Sequence, residues 1–258
     1  MMNRKRIQIE ALKNSNGDWI IEDEQFSRHA IDHFHELFTE ESVSPNLGLP
    51  NYFSRAAIFD FQALVRPASS EEVIVNTLQG YMAELVSPNQ VSFVPGRHIQ
   101  DNIVIAHELV HSMHRMRGRK KFMAIKVGLE KAYDRLNWNF IVDTLVAAWV
   151  PEKLQVIIRD CISSVGTNVL WNGNLTEGFK PRRGIRQGCP LSLYLFVLCV
   201  ERLSHLIRES VEVEVWQPIR VGRNGQWISH LMFADDILLF AKVSENQIAI
   251  VCAILDRF

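Results

Sequence analysis

The run Ile228-Ser229-His230-Leu231-Met232-Phe233-Ala234-Asp235-Asp236-Ile237-Leu238-Leu239-Phe240-Ala241 constrains this chain more than any other stretch. Two segments dense in β-branched, aromatic and aliphatic residues flank a pair of carboxylates, which predicts a β-hairpin with Asp235 and Asp236 at its tight turn. Adjacent acids repel, and between apolar strands they are tolerated when something positive sits with them; a divalent cation is the usual partner. Carboxylates that bridge a pair of magnesium ions hold the attacking oxygen and the leaving group of a phosphoryl transfer in line. Asp is also a common turn residue, so a solvated turn is the ordinary alternative, and the apolar flanks weigh against it.

The rest of the chain has enough apolar material to build a core around that hairpin. With 258 residues, 47% of them hydrophobic, it suits one large domain or two small ones. A net charge of -1 supplies no global attraction to nucleic acid, so any such binding must rest on local patches. Cys161, Cys189, Cys199 and Cys252 form no C-x-x-C pair, which argues against a zinc ribbon or a disulfide framework and fits a reducing compartment. The start, Met1-Met2-Asn3-Arg4-Lys5-Arg6, runs into charged and alternating residues rather than a signal peptide. We therefore expect an intracellular protein, nuclear or cytoplasmic and not secreted. The most apolar helix candidate, Pro190 to Ile207, contains Glu201, Arg202 and His205, as a core helix does and a membrane span does not.

Turn chemistry and periodicity place the other elements. Asn14-Ser15-Asn16-Gly17 predicts a hairpin turn between Arg6 and Asp23, and a helix follows to Thr39 with Phe26, Ala30, Phe34, Leu37 and Phe38 on one face. His29 and His33 on that helix lack a clear third ligand and read as surface residues. Glu40 to Tyr52 is a linker, and Ser69 or Ser70 starts the next helix. A helix over Ile99 to Arg115 should turn Ile99, Ile103, Ala106, Val110 and Met113 inward. It leads into the cationic cluster Arg115, Arg117, Arg119, Lys120 and Lys121, which suits a helix C-terminus or phosphate contact equally. Phe122 to Val127 reads as a buried strand, Asn137 to Val150 and Pro151 to Ser164 as helices, and Asn172-Gly173 as the turn of a second hairpin. A third hairpin is expected from Val211 to Phe233 around Asn224-Gly225, and a last helix from Ser244.

Four collinear blocks carry a resemblance: Ser87-Pro88-Asn89-Gln90 through Phe93-Val94-Pro95-Gly96-Arg97; Lys131-Ala132-Tyr133-Asp134-Arg135; Arg183-Gly184-Ile185-Arg186-Gln187-Gly188-Cys189-Pro190-Leu191-Ser192; and Phe233-Ala234-Asp235-Asp236. In that order they resemble the reverse transcriptases of non-LTR (LINE-type) retrotransposons, those of plants in particular. The resemblance implies an α+β fold: a palm with partial fingers, its antiparallel sheet packed on helices. It also implies an RNA-directed DNA polymerase that uses two Mg2+ ions, an RNA template, a DNA primer and a dNTP, with no membrane. Asp235 and Asp236 would be the catalytic metal ligands. Tyr133 would lie under the incoming sugar, Gln187 and Gly188 would contact nucleotide and template, and Arg183, Arg186, Lys120 and Lys121 would contact nucleic acid. Residues 1–52 then read as an N-terminal appendage, 53–86 as a residual pre-polymerase segment, and 87–258 as palm and fingers without a thumb.

The departures from that pattern matter as much. The family's strand before Lys-Ala-Tyr-Asp ends in an aspartate that bridges both metals, and here the residue is Gly128. Its loss predicts a catalytically defective copy, and the absence of a thumb and of much of the fingers predicts a truncated one. About a hundred residues of fingers, the scale of a small subdomain, are expected to be missing between roughly Val73 and Tyr81. Leu193 stands where the family usually has proline. Two other readings stay open: a non-catalytic nucleic-acid-binding remnant, and a zinc protease built on His107-Glu108-Leu109-Val110-His111, an H-E-x-x-H pattern on a helix.

Overall fold

A computed structural model describes residues 9, 11–14, 16–39, 48–54, 71–116, 121–220 and 225–258. Leu12–Lys13 (β1) pairs with Trp19–Ile20 (β2), and Asn14 Oδ1 accepts the amides of Asn16 and Asp18 inside their turn. Asp23–Thr39 (α1), Glu71–Leu85 (α2) and Ile99–Arg115 (α3) follow. The span from Val73 to Tyr81, where a deletion is expected, lies inside α2, whose Leu78 and Met82 are fully buried. Next come Phe122–Gly128 (β3), Ala132–Arg135 (α4), Trp138–Ala147 (α5), Glu152–Ser163 (α6), and a hairpin of Leu170–Trp171 (β4) with Asn174–Leu175 (β5). Asn172 and Gly173 both have positive φ, 45° and 91°, as a tight hairpin turn requires.

The long helix Pro190–Glu212 (α7) is the centre of the molecule, and it opens on Pro at its first turn. By length and composition it would pass for a membrane span, yet its apolar window is 83% buried inside the fold. It continues past the Val211 predicted to begin a strand. An Arg208–Glu212 ion pair of 2.8 Å and a Ser210 Oγ bond to Leu206 O support the extra turn. Among the described residues the third hairpin pairs Ile219–Arg220 (β6) with Trp227–Ile228 (β7), and Asn224 of its predicted turn lies outside them.

Three strands make the sheet that matters: β3, Asp236–Lys242 (β9) and His230–Phe233 (β8), with β9 in the middle and both pairings antiparallel. On one face Ile237, Leu239, Ala241 and Met232 join the main core with Leu195, Phe196, Cys199 and Leu203 of α7. On the other, Leu231 and Phe240 pack with Leu109 of α3. Covering both faces explains why Ile237 to Ala241 is an unbroken apolar run. The chain ends in Glu245–Arg257 (α8), capped by Ser244 Oγ accepting from Gln247 N.

Two buried faces differ from the prediction. On α3 the buried residues are Asn102 and Leu109, whereas Ile99, Ile103 and Val110 are exposed at 37%, 45% and 40%. Asn102 is drawn inside by hydrogen bonds, its Nδ2 donating to Asn89 O and Met232 O, and hydrophobicity alone does not register that. On α1, Phe26 and Ala30 are buried while Phe34 is exposed. Described residues of the N-terminal segment bond to the rest: Arg182 N donates to Phe38 O, and Asn51 Nδ2 donates to Ala147 O.

Candidate active site

The carboxylate hairpin turns through two residues, Ala234 and Asp235, because Phe233 pairs directly with Asp236. Ala234 adopts a φ of 52°, a left-handed position that costs a residue with a Cβ about 1–2 kcal/mol. Its amide donates to the Oε1 of Gln90, at 3.2 Å, and the same oxygen accepts Ser92 N at 2.9 Å. Gln90 is fully buried, so a side chain outside the hairpin holds its turn.

That glutamine belongs to a segment that docks along β8. Met232 N donates to Asn89 O (2.8 Å), Val91 N to Met232 O (3.3 Å), and Asn89 Nδ2 to His230 O (2.6 Å). Arg97 gathers the segment from behind, its guanidinium donating to the carbonyls of Ala83, Val86, Ser87 and Gln90. The Ser87–Arg97 block is therefore a brace for the hairpin. Its polar composition hides this, since Asn89, Gln90 and Arg97 spend their side chains on backbone groups.

Beneath the brace runs a buried polar chain. Glu201 accepts from Ser87 N at 3.1 Å and Ser87 Oγ at 3.3 Å; Ser87 Oγ meets Ser204 Oγ at 3.1 Å; Ser204 Oγ meets His230 Nε2 at 2.9 Å. Burial lifts the Glu201 carboxyl from 4.5 to about 7, against the hydrogen bonds from Ser87. It pushes His230 down to about 4, and it also lowers His205, 3.9 Å from Glu201, to about 3, so neither imidazole is charged at neutral pH. A raised carboxyl means the native state holds that proton more tightly than the unfolded chain, so its contribution is lost as pH rises from about 4.5 through about 7. The two histidines act oppositely, costing stability as pH falls below 6.5. Glu201→Gln keeps the hydrogen-bonding shape and is expected to gain on the order of 2 kcal/mol at pH 8 relative to pH 5, read from urea midpoints at the two pH values.

The remaining strand completes the site. Gly128 stands directly opposite Asp236, and Leu129 N donates to Asp235 O at 3.3 Å. The two stretches of chain predicted to meet thus do so, at the ends of neighbouring strands. A Cβ built on Gly128 would meet nothing within 4 Å, and its backbone lies outside the left-handed region. Asp235 and Asp236 are both exposed, and Lys126 Nζ sits 3.0 Å from Asp236 Oδ1. Composition gave no sign of that lysine's role, because only strand register brings it there.

Tyr133, on α4, stacks on Phe196 with centroids 4.3 Å apart, and burial together with the Asp235 charge pushes its hydroxyl up to about 12. The turn bearing Gln187 and Gly188 is fastened to the same segment. Ile185 N donates to Tyr133 O and Gly184 N to Leu136 O, both at 2.8 Å, and Trp138 Nε1 donates to Gly184 O at 2.7 Å. Gln187 and Arg186 are exposed and line a cavity of about 440 Å³ together with Asp134, Thr167 and Asn168.

The other residues predicted to contact nucleic acid have different surroundings. Arg183 is buried, its Nε donating to Leu37 O at 2.6 Å and its amide to Phe38 O, so it caps the C-terminus of α1 while lining the same cavity as Arg186 and Gln187. Lys120 lies outside the described residues. Lys121 is exposed just before the start of β3, roughly 20 Å from the carboxylate turn at about 3.3 Å per strand residue. The zinc-protease reading loses its ligand set. His107, Glu108 and His111 are exposed on α3, and no group of three or more His, Cys, Asp or Glu side chains placed to hold a metal occurs among the described residues.

Residues 65–258 match the reverse transcriptase (RNA-dependent DNA polymerase) family. The chain is similar to the transposon TX1 uncharacterized 149 kDa protein of Xenopus laevis, 30% identical over 64% of this chain and 12% of that protein. It is also similar to the retrovirus-related Pol polyprotein from the type-2 retrotransposable element R2DM of Drosophila melanogaster, 30% identical over 69% of this chain and 16% of that protein. It therefore spans less than a fifth of either relative. A solved telomerase of Candida albicans, in complex with a TWJ fragment of telomeric RNA, aligns with 71% of this chain and 32% of its own at 15% identity and a TM-score of 0.49.

Proposed function

The chain belongs to the reverse transcriptase (RNA-dependent DNA polymerase) family, and on that premise we propose that it is the polymerase palm of a non-LTR retrotransposon polyprotein, catalytically defective as it stands. The observation that carries this is the register of Gly128 against Asp236. It sets a residue without a side chain at the point where a third carboxylate would face the hairpin.

The remaining parts suit template-directed nucleotide addition. Tyr133 presents a flat ring, braced on Phe196, beside Asp235, where it would lie under an incoming sugar. Gln187 and Gly188 project from a turn locked to the Tyr133 segment, and glycine there lets backbone approach a nucleotide. Arg186, exposed beside them, is placed to contact phosphate of an RNA template or DNA primer.

The donor set does not fit a pair of divalent cations. Asp235 and Asp236 are two exposed carboxylates, one already paired with Lys126, and position 128 adds nothing. A two-metal site also needs a ligand that bridges both ions and fixes the attacking oxygen between them. Primer extension on an RNA template with Mg2+ and dNTPs tests the reading. We expect retention of primer–template, weakening steeply with salt, without detectable extension. Robust extension by the unaltered chain would overturn the defect, and binding indifferent to salt would count against the nucleic-acid surface.

A further inference from the structure

We propose that the Lys126 ammonium is the resident counter-ion of Asp236 and competes with any divalent cation for that carboxylate. The hairpin is then closed to metal by two residues: Gly128, which withholds a ligand, and Lys126, which occupies one. This rests on the reading of the hairpin as a former polymerase site.

The geometry follows from strand register. Gly128 pairs with Asp236 and Lys126 with Leu238, so Lys126, Gly128 and Asp236 share one face of the sheet. Residues diagonal across antiparallel strands have Cα atoms about 7–8 Å apart, within reach of a long side chain. Lys126 uses that reach, placing Nζ 3.0 Å from Asp236 Oδ1. With no side chain at 128 and open space around its Cβ position, no carboxylate there draws the ammonium away or shares its charge. The pair lies beside an apolar groove of about 260 Å³ lined by Ile99 and Ile103 of α3 with Phe233 and Leu238. Both side chains stay largely exposed, 72% for Lys126 and 57% for Asp236, so the pair is solvent-screened and its attraction grows as salt is lowered.

A divalent ion arriving at Asp236 must displace the ammonium or bear its repulsion from a few ångströms away. Removing the charge should therefore tighten divalent binding by about three- to tenfold at low ionic strength, and by less as salt screens the pair.

The test is a Mn2+ titration of the full chain, followed by paramagnetic broadening of the backbone amides of Gly128, Asp235 and Asp236. Lys126→Met is expected to lower the apparent Kd by that factor, and Lys126→Arg, which keeps the charge, to leave it within about twofold. Unchanged or weaker Mn2+ binding in Lys126→Met overturns the competition. Gly128→Asp separates the two levels. If that variant binds Mn2+ at the hairpin while Lys126→Met changes nothing, the competition alone is wrong. If no variant shows broadening at the hairpin, the metal-site ancestry of the hairpin fails with it.

Discussion

Gly128→Asp is expected to raise primer extension on an RNA template by on the order of a thousandfold over the unaltered chain, the scale of several kcal/mol of barrier. The structure makes room for the change. Position 128 ends β3 directly opposite Asp236, its backbone needs no glycine conformation, and a Cβ there meets nothing within 4 Å. The new carboxylate would complete a set with Asp235 and Asp236 from two adjoining strand ends. No existing acid nearby replaces it. Asp134 is partly buried in the wall of the cavity behind the Gln187 turn, where burial raises its carboxyl above the ordinary range. A side chain held there cannot bridge ions at the hairpin, because a misplacement of about 1 Å is already enough to forfeit a hundredfold. Steady-state extension rates at saturating Mg2+ check the expectation. A gain of less than about tenfold would mean that some other change disabled this chain.

Gly184→Ala is expected to destabilise the fold by about 3 kcal/mol, combining left-handed strain with overpacking. Gly184 has φ +85°, and a Cβ there would lie 2.6 Å from the carbonyl oxygen of Asp134, a backbone atom that cannot swing aside. The same position donates to Leu136 O and accepts from Trp138 Nε1, so the clash would prise the turn from the segment carrying Tyr133. Gly188, four residues on, makes the control. Its φ is +84° but nothing lies within 4 Å, so alanine there should cost only about 1 kcal/mol, the strain alone. Urea midpoints of the two variants against the parent decide it, and equal losses at both positions would refute the close approach at 184.

Much of the architecture was legible because it is written locally. Asn-Gly turns marked two hairpins, and apolar spacing with flanking turn residues bounded the helix Ile99–Arg115 and the strand Phe122–Gly128. The errors came where a neighbour outweighs the local pattern. Asn102 is buried for the carbonyls it serves, while Ile103 and Val110 on the same helix face out. Arg183, expected at phosphate from its basic turn, also caps the C-terminus of α1, a contact its local sequence does not announce. Lys126 looked like an ordinary strand lysine until register set it on Asp236.

What the sequence determined by itself was the order of the elements, the family, and the presence of glycine where a carboxylate belongs, since these depend on residue identity and spacing along one chain. Only the tertiary structure decided that Gly128 faces Asp236, that Gln90 holds the Ala234 turn, and that Lys126 takes the charge left unmatched. The physical reason is that pairing between strands more than a hundred residues apart is fixed by how both sheet faces bury against α7 and α3. A shift of one residue would turn every side chain of β3 to the wrong face, and nothing within β3 alone encodes which face is right.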